Sequence, residues 1–142
     1  RTDLGRQYEA FSLDGGQTWS KPAVSVFSSP DSPLSMKRMP SGELIAIWNP
    51  IPSYQTRQAA PATNGRTPLV GATSRDEGRT WGNWIYFETE ADRNGCCYTA
   101  IHFTEEAMLL GYCAGTEEDG GCLNRLKIRR IEWKEIERGM SN

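Results

Sequence analysis

The sequence predicts an all-β fold built from repeated sheets, and three observations lead to it. Apolar and polar residues alternate over short segments, which is the pattern of half-buried strands. No long segment has the 3.6-residue spacing of a helical face. An eight-residue pattern, S-x-D-x-G-x-T-W, occurs at 12–19 and again at 74–81. A recurring sequence pattern of this kind indicates a repeated supersecondary unit.

Each octet has the composition of a tight turn followed by a large aromatic residue. Glycine adopts left-handed backbone conformations at little cost, and aspartate and serine side chains bond to turn amides. The tryptophans are expected to bury their rings against a neighbouring sheet. We therefore interpret the shared residues as structural. They are Ser12, Asp14, Gly16, Thr18 and Trp19 in the first octet, and Ser74, Asp76, Gly78, Thr80 and Trp81 in the second.

Nine segments have the alternation and the β-forming residues of strands. They are 7–11, 23–27, 34–39, 43–48, 67–73, 83–88, 97–103, 107–113 and 122–133. The octets follow the first and fifth of these strands, and Pro40-Ser41-Gly42 joins the third to the fourth as a hairpin. Residues 49–66, rich in Pro, Gln, Thr and Asn, are predicted to form a long loop, and such loops are often functional. The polar tail over 134–142 is expected to fray.

The order of these elements repeats along the chain. Residues 33–88 contain, in order, a strand, a strand, a long loop, a strand, an octet and a strand. Incomplete copies of this order lie before and after these residues. The two octet aspartates are 62 residues apart. This is longer than the roughly 40–50 residues of common four-stranded blades, and the loop over 49–66 accounts for the surplus. We predict one domain, 1–142, built from such repeated units.

Composition excludes some classes of function. The 142 residues carry a net charge of −2 and no basic run, so we expect no nucleic-acid partner. The apolar segments are too short to cross a bilayer, so no membrane partner is expected. The chain opens with Arg-Thr-Asp and not with Met, which suggests a piece of a longer parent whose destination stays open.

The four cysteines leave two alternatives open. They are Cys96, Cys97, Cys113 and Cys122. The chain has one histidine and no Cys-x-x-Cys spacing, so neither a metal nor a cofactor is expected. Cys113 and Cys122 flank a glycine-rich turn, where a disulfide or two reduced thiols are both compatible with the sequence.

The octets and their context resemble the sialidase family, whose propeller blades carry this octet under the name Asp-box. The context is Leu44-Ile-Ala-Ile-Trp48-Asn49-Pro50, then Gly65-Arg66-Thr-Pro-Leu69, then Cys97-Tyr98-Thr99-Ala-Ile101. This order resembles the C-terminal part of a bacterial exo-α-sialidase-type propeller, which has six blades, and the resemblance covers nearly the whole chain. It implies that this chain is about two blades of a longer parent, for which a secreted or periplasmic location is one option.

The resemblance also implies site residues. Such enzymes bind the carboxylate of sialic acid with three arginines, because planar guanidinium groups fit a carboxylate. Arg66 resembles the last of the three and Arg1 the middle one. Tyr98 resembles the tyrosine nucleophile of these retaining enzymes. The glutamate partner of that tyrosine and the aspartate acid/base have no counterpart in this chain, so the chain alone is expected to be inactive.

Two other functions stay open at this point. One is a non-catalytic Asp-box module that binds glycans or proteins, since the octet also occurs in such propellers. The other is a propeller enzyme for a different acidic sugar, such as a uronate. An acidic glycan is the expected ligand in the leading interpretation. Because exposed sheet edges pair readily, we also expect association with the rest of the parent or with further copies of the chain.

Overall fold

The computed structural model describes residues 1–52, 65–89 and 95–139, which contain nine strands and one α-helix. The strands are β1 (Arg6–Glu9), β2 (Ala23–Ser28), β3 (Ser35–Arg38), β4 (Leu44–Trp48), β5 (Leu69–Ser74), β6 (Gly82–Glu88), β7 (Cys97–Phe103), β8 (Ala107–Cys113) and β9 (Leu126–Glu132). The helix is α1 (Trp133–Arg138), and Cys122–Asn124 forms a short 3-10 helix. The prediction of an all-β fold is confirmed.

The strands form three antiparallel sheets in which each strand pairs with the next one along the chain. The first sheet is β1-β2, the second is β3-β4-β5-β6 and the third is β7-β8-β9. This up-and-down order is that of propeller blades. The first octet lies between β1 and β2 and the second between β5 and β6. The strands β1 and β2 therefore correspond to the third and fourth strands of a blade.

Each octet folds as a turn held by its own side chains. The Asp76 carboxylate accepts hydrogen bonds from the Thr80 hydroxyl (2.6 Å), the Thr80 N–H (2.8 Å) and the Ser74 hydroxyl (2.8 Å). The first octet repeats these bonds with Asp14, Thr18 and Ser12. Because these donors stabilise the ionised carboxylate, they lower the pKa of Asp76 to about 2, and the pKa of Asp14 shifts in the same direction.

The central strands of the second sheet bury both faces. Ile45 and Ile47 contribute to one core, while Ala46 and Trp48 contribute to the other. The larger core joins the second sheet to the third and includes Leu69, Ile85, Phe87, Met108, Leu110 and Tyr112. The smaller core joins the second sheet to Phe27 of the first. Each fully buried isoleucine stabilises the fold by about 2 kcal/mol, so these two layers hold the three sheets together.

The octet tryptophans differ in their surroundings. The ring of Trp81 lies 5.0 Å from the ring of Phe27 in the first sheet, in a T-shaped contact. Trp19 is 64% exposed. In the described ranges it makes no ring contact with another sheet. The prediction that both rings are buried is therefore wrong for Trp19.

Two predictions near the C-terminus are also wrong. The strand predicted over 122–133 begins only at Leu126, because the preceding residues form the 3-10 helix. The tail predicted to fray is helical as far as Arg138, since Ile136 is buried in the larger core. Glu132 and Glu135 form a capping box at the start of this helix. Residues 140–142 lie outside the described residues.

The other eight predicted strands are present, with ends that differ by at most two residues. Of the loop predicted over 49–66, residues 49–52 and 65–66 contain no strand, and the remainder lies outside the described residues. Within the described ranges, no helix has the length and apolar character needed to cross a bilayer.

Candidate functional site

The predicted site residues lie at one end of the sheets, which we call the upper end. Arg1 precedes β1, and Arg66 precedes β5. Tyr98 is the second residue of β7, and Asp31 lies between β2 and β3. Within the second sheet, the registers place the beginnings of β3 and β5 at the same end. Contacts between sheets, such as Arg1 with Tyr98 and Ser35 with Thr99, bring the beginnings of β1 and β7 to that end. Chain direction therefore brings residues far apart in sequence close together.

Arg1 and Arg66 both lie against Tyr98. Arg1 Nη1 donates a hydrogen bond to the Tyr98 hydroxyl oxygen at 3.0 Å. The guanidinium carbon of Arg66 lies 5.1 Å from the centre of the Tyr98 ring, and that of Arg1 lies 5.9 Å from it. These are cation–π distances. The structure thus brings together all three residues for which the sequence suggested contact with a ligand.

Tyr98 has an unusual backbone. Its φ is +55°, in the left-handed region that bulky residues rarely occupy. The register of β7 with β8 shifts between Cys97 and Ala100, so a bulge lies at this position. Its side chain remains 45% exposed. Backbone strain of this kind is concentrated at functional sites, and here it turns a phenol toward solvent between two guanidinium groups.

Arg66 is held from below and is incompletely paired. Its Nη1 donates to the Cys97 sulfur at 3.4 Å, and its Nη2 donates to the Asp31 carbonyl at 3.4 Å. Its Nε is buried and has no hydrogen-bond partner among the described residues. Most buried polar groups have a partner. The Nη2 bond is long and exposed, so this N–H group keeps capacity for an incoming acceptor.

Asp31 is a site residue that the sequence analysis did not single out. Its Oδ1 lies 3.2 Å from Arg1 Nε, in an ion pair in which both side chains are partly exposed. Two guanidinium groups and one carboxylate leave the cluster with a net positive charge. It therefore attracts anions, and a bound anion competes with Asp31 for Arg1. The sequence signal for Asp31 is its position between β2 and β3, in a loop at the same end of the sheets as Arg66.

The cysteines are free thiols, including Cys113 and Cys122, for which a disulfide had been an open alternative. Cys97 is buried beneath Arg66, and burial raises the pKa of its thiol to about 11 although Arg66 opposes the shift. Burial also raises the pKa of Cys96 to about 12. Both thiols are therefore neutral near pH 7 and unsuited to nucleophilic attack. In the described ranges, no three His, Cys, Asp or Glu side chains converge as metal ligands.

One cavity of the structure lies away from this cluster. It has a volume of about 880 Å³ and is lined by the β3–β4 turn, the β5–β6 turn and α1, at the end of the sheets opposite Tyr98. A cavity of about 300 Å³ lies beside Arg1, between the first two sheets. We place the candidate site at the upper end, because the incompletely bonded guanidinium of Arg66, the strained backbone of Tyr98 and the positive charge coincide there. The volume of a cavity by itself does not indicate its chemistry.

Fold and site together define a repeated-sheet protein with an anion-attracting site at one end of its sheets. A model of the BNR repeat-like domain matches residues 1–112. The chain therefore belongs to the BNR repeat-like domain family, whose repeats are of the sialidase type. No curated protein and no solved structure matched the chain.

Proposed function

We propose that this chain is the substrate-binding and nucleophile-bearing part of a sialidase-like glycoside hydrolase. Arg66 and Arg1 bind the carboxylate of a terminal sialic acid, and Tyr98 is the nucleophile of the parent enzyme. One observation carries the proposal: two guanidinium groups converge on a strained and accessible phenol. The family assignment supports it at the coarser level of a sialidase-type repeat protein.

The charges favour this assignment of roles. A substrate carboxylate next to the reacting carbon repels a carboxylate nucleophile but not a neutral phenol. In the proposed step, the phenol oxygen of Tyr98 attacks the anomeric carbon while the bond to the leaving alcohol breaks. A base must take the phenol proton, and an acid must protonate the leaving oxygen. A second displacement by water then restores the phenol and retains the configuration.

The described residues supply binding and a nucleophile but not the proton transfers. The only hydrogen bond recorded for the Tyr98 hydroxyl among the described residues comes from Arg1, which is a donor and not a base. We therefore expect the chain to bind N-acetylneuraminic acid weakly and to leave a fluorogenic sialoside intact.

The test compares ligand binding by matched variants. Titration of the chain with N-acetylneuraminic acid and with its methyl ester, followed by NMR, should show binding of the free acid alone. Arg66→Ala should weaken that binding by about 10- to 100-fold, since it removes a charge-assisted pair. The control is Arg79→Ala, which removes an exposed arginine of the second octet and should leave this binding unchanged. Equal binding of acid and ester, or sialoside turnover by the chain alone, contradicts the proposal.

A second candidate is a non-catalytic Asp-box module that binds acidic glycans. It is favoured because no base contacts the Tyr98 hydroxyl among the described residues. The two candidates differ in covalent chemistry. A fluorinated sialic acid probe should label Tyr98 in a parent enzyme that contains the acid and base, and Tyr98→Phe should abolish the label. A module that only binds should retain ligand without labelling. Preference for a uronate over sialic acid would indicate an enzyme for another acidic sugar.

A further inference from the structure

A series of buried hydrogen bonds runs beneath the upper end and joins the three sheets. Gln7 of β1 donates from Nε2 to the Ser29 hydroxyl (2.8 Å) and to the Ser32 carbonyl (2.7 Å). The Ser32 hydroxyl in turn donates to Asn49 Oδ1 at 2.6 Å. All four residues are buried. We call these four side chains the amide relay.

Asn49 extends the relay into the second and third sheets. It follows the last residue of β4 and is 1% exposed. Its Nδ2 donates to the Pro68 carbonyl (2.8 Å) and to the Cys96 carbonyl (2.9 Å). With Oδ1 accepting from Ser32, both ends of the amide are bonded, so the orientation of this side chain is determined. One side chain thus connects three separate loops.

Each partner of Asn49 lies within two residues of a member of the candidate site. Ser32 follows Asp31, Pro68 lies two residues after Arg66, and Cys96 lies two residues before Tyr98. The Cys96 N–H also donates to the Arg66 carbonyl at 2.7 Å. A shift of any of these loops therefore moves a charged or reacting group of the site.

The octets at the opposite end of the sheets behave differently. The bonds among the shared octet residues close within eight residues, as between Asp76 and Thr80. The longer bonds of the second octet, Arg38 to Glu77 and Arg75 to Glu43, stay within the second sheet and do not fix one sheet relative to another. The amide relay joins residues up to 47 positions apart in the chain. Buried networks of this kind rigidify a structure when every member is bonded. The position of the relay is therefore not explained by local turn formation.

We propose that the amide relay, with Asn49 at its centre, positions the candidate site by setting the spacing of Asp31, Arg66 and Tyr98 across the sheets. The inference rests on the proposed function for what the site binds, but the spacing itself is a property of this chain. Asn49 and Gln7 are positioning residues, since both are buried and act on the site through the loops.

The experiment compares Asn49→Asp with Asn124→Asp in the full chain. In Asn49→Asp a carboxylate oxygen faces the Pro68 and Cys96 carbonyls, so repulsion replaces two bonds. In the control, Asn124 loses one exposed bond to the Asp119 carbonyl (2.9 Å), which is not part of the amide relay. With N-acetylneuraminic acid as the probe, Asn49→Asp should weaken binding by about tenfold, and the control should leave binding unchanged.

A second readout does not depend on any ligand. The ring signals of Tyr98, observed by NMR with labelled tyrosine, should shift in Asn49→Asp and not in Asn124→Asp. If Asn49→Asp fails to fold, Ser32→Ala removes only the 2.6 Å bond and should shift the same signals by less. Unchanged Tyr98 signals in a folded relay variant overturn the inference. If the unmodified chain does not bind the acid, the proposed function fails, and the Tyr98 signals still decide the role of the relay.

Discussion

At the scale of single residues, the two ends of the sheets differ in how fully their charged groups are hydrogen-bonded. Tyr98 has a left-handed backbone and an exposed phenol, and Arg66 lies against its ring with one buried N–H unpaired among the described residues. The octet aspartates show the opposite character, because their carboxylates are saturated with hydrogen bonds from the same turn. Among the described residues, a guanidinium with unmet bonding capacity therefore lies at the upper end, whereas the octet carboxylates at the other end are fully bonded.

The lowered pKa values of Asp14 and Asp76 predict a loss of stability in acid. A carboxylate whose pKa is lower in the folded than in the unfolded state stabilises the fold above its unfolded pKa, and this contribution disappears as pH falls through the folded value. For Asp76 the window extends from the ordinary value of 3.8 down to about 2. The melting temperature should therefore fall in this window, and by less in a chain carrying Asp14→Asn and Asp76→Asn.

The control for this prediction is Asp3→Asn. Asp3 makes no side-chain hydrogen bond or ion pair among the described residues, so its removal should leave the pH profile of the melting temperature unchanged. A double octet variant with the same acid profile as the unmodified chain would show that the octet carboxylates do not contribute in this way.

At the scale of elements, the repeated octets create the same turn in two different environments. The second octet places Trp81 against Phe27 of the preceding sheet, where Phe27 also contacts Trp48 at 4.9 Å. The first octet places Trp19 on a face that remains exposed. Local hydrogen bonds form the turn in both cases, and the contact with a neighbouring sheet determines how much the tryptophan stabilises the fold.

This difference predicts that two equivalent substitutions lower the free energy of unfolding by unequal amounts. Trp81→Ala should lower the free energy of unfolding by about 2–3 kcal/mol, because it removes an aromatic contact between sheets. Trp19→Ala should change it by no more than about 0.5 kcal/mol. Urea denaturation followed by circular dichroism measures both values. Equal effects would mean that each tryptophan contributes within its own turn, through the bond from Nε1 to the octet glycine carbonyl.

At the scale of the whole molecule, two outer sheet faces carry exposed apolar side chains. Val24 and Val26 are exposed on the first sheet, and Leu126 and Ile128 are exposed on the third. Inner faces of the same sheets are buried in the two cores. Because contiguous apolar surface favours association, these faces suit contact with other sheets of a parent or with copies of the chain.

We therefore predict concentration-dependent self-association, measurable by analytical ultracentrifugation. Val26→Glu and Ile128→Glu together should weaken it, since they place charges on the two faces. Leu13→Glu, at the fully exposed tip of the first octet, should leave it unchanged. A chain that sediments as a monomer at every concentration would contradict this prediction.

Much of the fold could be predicted from residue patterns, but the arrangement of the site only in part. Strand alternation located all nine strands, with only the start of the ninth placed too early, because alternation is a local property of the chain. The resemblance named Arg1, Arg66 and Tyr98, and they do converge. Asp31 and Asn49 were not assigned roles, because their partners lie far away in sequence. The helix α1 was not predicted, because it has only six residues and one buried side chain, Ile136, and so shows no helical pattern in the sequence.

What the sequence determined by itself is the set of structures whose bonds close within a few residues: the octet turns, the hairpins and the alternating faces of the strands. What only the tertiary structure decided is which of two identical tryptophans is covered, how Tyr98 is turned between two arginines, and which buried amide links the loops. The physical reason is the distance along the chain over which each interaction acts. Local hydrogen bonds form wherever the pattern occurs, whereas burial and the spacing of charges depend on which sheet lies next to which.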